Sequence, residues 1–255
     1  YLRKSFEQKQ PLAQEIHDKV LSLFKRYLLV GGMPDAVNEY LNSHNIVKVR
    51  EVQEAIRELY GVDASRYEED AAKKLYIRRI YDMIPSQMEN KKKRIVAKDI
   101  LDRKGDRFSN YVEEFEYLIN SGITIASHAI SNPKYPLAES QQKNLLKLYM
   151  NDVGMLTSQL YHYNIQPILN DIASINLGSV YESAVAQELK AHYEKLFYYD
   201  NKQKGEVDFL VDDSGTTSVL PIEVKSGKDY TVHSALDNPV SYTHLRAHET
   251  RGNLV

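Results

Sequence analysis

The sequence predicts an α+β protein with a helical first part (residues 1–85), a mixed middle part (86–160) and an α/β C-terminal part (161–239). Three observations predict it. Leu12, Ile16, Val20, Phe24 and Leu28 recur every four residues, which gives one apolar helical stripe. Residues 123–130 and 145–150 read as two strands around a Pro-containing loop. In 206–211, Val207, Phe209 and Val211 alternate with Glu206, Asp208 and Leu210, the period of a strand.

The first helix spans Leu12 to about Leu29. Gly31-Gly32-Met33-Pro34 ends it, with Gly past the helix and Pro opening the next. The two glycines read as a tight helix–helix turn. No strand leads into them, and the chain holds no Gly-x-x-x-x-Gly-Lys-Ser/Thr phosphate loop. Asp35–Asn42, Ile46–Leu59 and Asp63–Met83 follow as helices, the last ended by Pro85.

The middle part opens on a basic run, Lys91-Lys92-Lys93-Arg94. A short helix is expected over Val96–Leu101. A second spans Ser109–Ser121, with Ser109 as N-cap and Gly122 as its stop. With the strand pair, this order suits a winged-helix-like unit. The second helix carries Glu113, Glu114 and Glu116, which oppose entry into a phosphate-lined groove. The unit therefore reads as a packing module and the basic run as a solvated loop, although the run could also touch phosphates.

The chemistry sits in the C-terminal part. Val180–Tyr193 reads as a helix with Glu182 in its first turn, and Leu196–Tyr199 as a short strand. On the 206–211 strand, Asp208 falls on the face opposite Phe209. Asp212–Gly215 is a turn. Val219–Val224 is the next strand, and Glu223 and Lys225, two apart, share one of its faces. Carboxylates gathered this way suit a hard cation such as Mg²⁺. Asp208 and Glu223 would hold it, with the Ile222 or Val224 carbonyl as a further donor, and Glu182 would complete the ligands. Lys225 would position a water that the metal activates. The same acids and Lys225 could instead form a salt-bridge network without catalysis.

Glu182, Asp208 on an alternating strand, and then Ile-Glu-Val-Lys-Ser-Gly resemble the PD-(D/E)XK nuclease superfamily. The wider order of KRYLLVGGMPDAVNEYL, LLKLYMNDVGML, GSVYESAVAQEL, GEVDFLV and LPIEVKSG is similar to the C-terminal region of prokaryotic AAA-type ATPases. The resemblance covers about Leu2 to Asn238. It implies an ATPase module before Tyr1, a domain of unknown function ending in a nuclease-like fold, and ATP binding only through that absent module. Asp208, Glu223 and Lys225 are then the catalytic positions, and Glu182, Asp208 and Glu223 the metal positions. The implied function is that of a binding or regulatory module of an ATP-binding protein; the alternative is a working Mg²⁺-dependent nuclease. The implied partners are nucleic acid and the protein's own ATPase module.

After Asn238 the pattern departs from that family. Residues 240–255 read as a non-native, adapter-derived tail, so the 161–239 part is expected to be truncated. His244 and His248, four apart, are not taken as metal ligands for that reason. The formal net charge of −2 argues against a broadly basic nucleic-acid coat. The absence of cysteine rules out disulfides and thiolate zinc sites and suits the reducing cytoplasm. No signal peptide or membrane span is legible.

Overall fold

The computed structural model describes residues 2–8, 10–66, 70–90, 92–170, 177–202 and 205–225. The tail at 240–255 and Lys91 of the basic run lie outside the described residues. The described chain is α+β, as expected.

The helical part begins with α1 (Leu2–Glu7) and α2 (Gln14–Val30). Gly31 ends α2 at φ +73°, and its N–H donates back to the Tyr27 carbonyl. Pro34 then opens α3 (Pro34–Ser43), the asymmetry expected of Gly-Gly-Met-Pro. Two expected boundaries differ. The break between Leu59 and Asp63 does not occur: α4 runs unbroken over Ile46–Arg66, through Gly61. Tyr60 packs edge-on against the buried Tyr81 ring, with centroids 6.4 Å apart, and this tertiary contact outweighs the glycine's cost of about 1 kcal/mol. Pro85 does not end its helix either: α5 spans Ala71–Glu89. Ile84 and Met88 on either side of Pro85 are buried in the core, which holds the helix together across the missing N–H. Asp70 caps α5 by accepting from the Ala72 and Lys73 N–H groups.

The helices α6 (Lys98–Leu101) and α7 (Val112–Asn120) follow. Ser109 is not an N-cap, because it lies in a separate 3-10 turn, Phe108–Asn110, ahead of α7. Strands β1 (Thr124–Ile130) and β2 (Gln141–Met150) pair antiparallel, from Thr124 opposite Met150. The remaining elements are α8 (Val153–Tyr161), α9 (Gln166–Leu169), α10 (Gly178–His192), β3 (Leu196–Asn201), β4 (Gly205–Asp213) and β5 (Ser218–Ile222).

The strand pair expected as a wing is instead one end of a five-stranded sheet of order β2-β1-β3-β4-β5. The second edge of β1 is taken by β3, in parallel register from Ser127 opposite Leu196 to Ile130 opposite Tyr199. A wing would leave that edge free. One hydrophobic core runs from Ile77 and Ile84 on α5, through Phe115, Ile125 and Tyr149, to Leu196, Phe209 and Val211. A smaller cluster of Ile130, Phe197, Tyr199, Val207, Leu210 and Val219 covers the other face of the sheet. Among the described residues, no helix is long and apolar enough to cross a membrane.

Candidate functional site

The site forms on the face of the sheet that carries the larger core, and a bulge in β4 places its central residue. Phe197 of β3 opposes Leu210 and Tyr199 opposes Val207, so Asp208 and Phe209 together face one residue, Tyr198. Two residues against one turn consecutive side chains to the same side. Phe209 accordingly packs on the Tyr149 ring, at 5.7 Å between centroids, while Val207 and Leu210 join the cluster behind. Asp208 therefore shares its face with Phe209, contrary to the alternation expected from period two.

Asp208 Oδ2 accepts the Val224 N–H at 2.8 Å, which ties the carboxylate to the chain leaving β5. Glu223 and Lys225 flank that residue, and Lys225 Nζ donates to Glu223 Oε1 at 2.6 Å. Glu223 Oε2 is buried and has no hydrogen-bond partner among the described residues. Asp208 on β4 is thus brought beside Glu223 and Lys225, which lie just past the end of β5 at Ile222 and not on the strand where the sequence places Glu223. Burial, followed by the Glu182 and Glu223 charges, pushes the Asp208 carboxyl up to about 7. Burial alone would lower the Lys225 ammonium, but the hydrogen bond to Glu223 and the nearby acids outweigh it and hold Lys225 above its usual range.

Glu182 reaches in from α10 and is 1 % exposed. Both of its oxygens are engaged. Oε1 accepts from the Tyr149 hydroxyl at 2.6 Å and from Lys147 Nζ at 3.3 Å, and Oε2 pairs with Lys93. Burial would raise this carboxyl; Lys147, Lys93 and Tyr149 together more than offset it and hold it below its ordinary value. Lys147 is itself buried in β2 and also reaches Glu206 Oε1 at 3.2 Å. Burial disfavours its charge, yet Glu182, Glu206 and Asp208 keep its ammonium above the ordinary value.

Two residues of the basic run, Lys93 and Arg94, are not solvated as expected, whereas Lys92 stays largely exposed. Lys93 pairs with Glu182, while Arg94 and Lys92 both approach Asp200 Oδ2, Lys92 at 3.6 Å. Arg94 and Lys147 each lie near the Tyr198 ring, at 5.6 and 4.9 Å from its centroid. The sequence singles out neither Lys147, Tyr149 nor Asp200, and Lys93 only as a member of the basic run. Lys147 did leave a signal: it is the one charge inside the otherwise apolar run Leu145–Met150.

Among the described residues, no three acidic or imidazole side chains gather at metal-ligand spacing. Two of the three expected metal positions nevertheless fit a hard cation. Asp208 and Glu223 offer oxygen donors, one of them buried and unpartnered, and their mutual repulsion is what a cation relieves. Glu182 offers no free oxygen in this arrangement.

Comparison with curated proteins and with solved structures returns no match. Residues 177–244 match the family described as domain of unknown function DUF4143. Residues 21–163 match domain of unknown function DUF8612. The latter match spans more than half of the sequence, so the chain belongs to the DUF8612 family.

Proposed function

We propose that this chain is the part of an AAA-type ATP-binding protein that follows its ATPase module, and that its sheet carries a divalent-cation site serving as a phosphodiester-binding or regulatory module. The DUF4143 match over 177–244 is compatible with an ATPase-associated region. The observation that carries the reading is the crowding of Asp208 by Glu182 and Glu223, with Glu223 Oε2 left unpaired. Lys225 and Lys147 offset part of this negative charge, and a cation held between the two carboxylates would relieve the repulsion that remains.

Asp208 and Glu223 would hold the cation, which in such a site neutralises phosphate oxygens and activates water. The other residues have separable tasks. The Val224 N–H fixes Asp208 in place. Lys225, 39 % exposed at its side chain, presents an ammonium to an incoming anionic oxygen while remaining paired to Glu223. Lys147 and Tyr149 hold Glu182 ionised behind them.

A second reading is a working Mg²⁺-dependent nuclease acting on nucleic acid. The observation that favours it is Lys225 Nζ, 2.6 Å from Glu223 and next in the chain to the residue that anchors Asp208. Mn²⁺ calorimetry combined with cleavage of end-labelled DNA and RNA tests both. Mn²⁺ binding lost in Asp208→Asn, without cleavage by the parent chain, supports the binding module. Cleavage abolished by Asp208→Asn and by Lys225→Ala supports the nuclease. A parent chain that binds no Mn²⁺ overturns both.

A further inference from the structure

Residues 92–95 connect α5 to α6 and lie across the acidic face. Ile95 anchors them: its side chain is buried in the main core and its N–H donates to the Leu146 carbonyl of β2 at 3.2 Å. Two residues earlier, Lys93 sits at φ +49°, a left-handed conformation that a residue with a side chain keeps only when its surroundings hold it there. From that position its ammonium meets Glu182 Oε2.

Glu182 does not depend on Lys93 for neutralisation, because Lys147 and Tyr149 already serve Oε1. The two lysines also differ in freedom. The Lys147 side chain is 1 % exposed and enclosed, whereas that of Lys93 is 21 % exposed and can extend into water. Around the site, Lys93, Lys147 and Lys225 face Glu182, Glu206, Asp208 and Glu223, so the cluster is nearly balanced. A divalent cation would leave it with excess positive charge. Departure of Lys93 removes that excess and frees the Glu182 oxygen.

We propose that Lys93 is a built-in placeholder: its ammonium occupies Glu182 until a divalent cation displaces it, and residues 92–94 then lift from the sheet. This rests on the cation-binding reading above. It couples the two matched regions, since Lys93 lies within 21–163 and Glu182 within 177–244. Cation occupancy of the sheet would thereby be reported to the helical part.

The test uses the full chain and Mn²⁺ alone. Removing one competing positive charge should tighten Mn²⁺ binding on the order of tenfold in Lys93→Ala. Lys93→Gly, which also relieves the left-handed backbone, should do the same, and Lys93→Arg should bind as the parent does. In the parent chain, Mn²⁺ should accelerate tryptic cutting after Lys92, Lys93 and Arg94. Equal affinity in the parent, Lys93→Ala and Lys93→Gly, with cutting indifferent to bound Mn²⁺, overturns the placeholder but leaves the cation site standing. No Mn²⁺ binding in any of them overturns the cation site and the placeholder together.

Discussion

Lys147 on β2 and Glu182 on α10 meet at 3.3 Å with both side chains only 1 % exposed. An ion pair so deeply buried holds together elements 35 residues apart, and neither charge can turn to water if its partner is lost. Removing one member of such a pair costs about 3–5 kcal/mol. Because Glu182 keeps Lys93 and the Tyr149 hydroxyl, Lys147→Met should lose stability toward the low end of that range by urea unfolding. The double variant Lys147→Met with Glu182→Leu should regain part of the loss, the buried Tyr149 hydroxyl being left without its acceptor. Lys93 and Glu206 are partly exposed and can be hydrated once their partners are gone. A single variant as stable as the parent would mean that Lys147 is neutral in the folded protein.

Asp208 sets a pH dependence of definite sign. Its folded carboxyl titrates near 7, against an ordinary value of 3.8. Between those values the folded state keeps a proton that the unfolded state has released, so stability falls as pH rises from about 4 to 7 and levels off above. Because the carboxylate retains some solvent contact, the fall should be on the order of 2 kcal/mol. Glu182 acts in the opposite sense: its lowered carboxyl supports the fold above its ordinary value and is lost only in stronger acid. Urea midpoints measured across pH in chelator should show the decline, and Asp208→Asn should abolish it. A decline that persists in Asp208→Asn belongs to another group.

Much of this site was legible in the chain because local spacing carries it. Glu223 and Lys225 are two apart at the end of a strand-like run, and Asp208 lies on a strand with clear alternation. The bulge was not legible, since a period-two reading assumes an unbroken pleat and nothing local marks residue 208 for an extra place. The partners of the basic run were not legible for another reason: Lys93 meets Glu182, and Arg94 meets Asp200, only through the fold, over 89 residues for the first pair. Likewise, the pairing of β1 with β3 is a long-range choice. Two strands joined by a loop read the same whether they form a wing or one end of a larger sheet.

The Gly-Gly pair of the helix turn should prove unequal. A Cβ on Gly31 would lie 2.0 Å from Asp152 Oδ1, on a backbone already at φ +73°. On Gly32 the nearest atom would be 3.6 Å away. Asp152 cannot easily retreat, for it accepts the Gly32 N–H at 2.6 Å and caps α8 through the Met155 N–H at 3.0 Å. Gly31→Ala should therefore cost about 2–4 kcal/mol, combining left-handed strain with loss of the cap. Gly32→Ala should cost less than about 1 kcal/mol. Thermal or urea unfolding of the two variants distinguishes them, and equal losses would refute the assignment of the close approach to Gly31.

Arg50 is a buried cation whose hydrogen-bond partners are largely backbone carbonyls. Nη1 reaches the Leu29 and Gly154 carbonyls at 3.1 Å each and Gln53 Oε1 at 2.8 Å, and Nε reaches the His162 carbonyl at 3.1 Å. Leu29 and His162 lie at the C-terminal ends of α2 and α8, where helix carbonyls carry partial negative charge and can balance a guanidinium. Burial lowers Arg50 to about 10, still charged at neutral pH. The loss on Arg50→Met should be smaller than a sum over these bonds. The Leu29 carbonyl also accepts from Gln53 and the Gly154 carbonyl from Thr157, so both keep a partner. The cost then falls mainly on the bonds to the His162 carbonyl and to the buried Gln53 Oε1, and on packing, about 3 kcal/mol. Arg50→Lys should recover little of it, because one ammonium cannot span acceptors on two helix ends as the planar fork does. If Arg50→Lys unfolds in urea like the parent, charge alone suffices and the fork geometry is not what joins α2, α4 and α8.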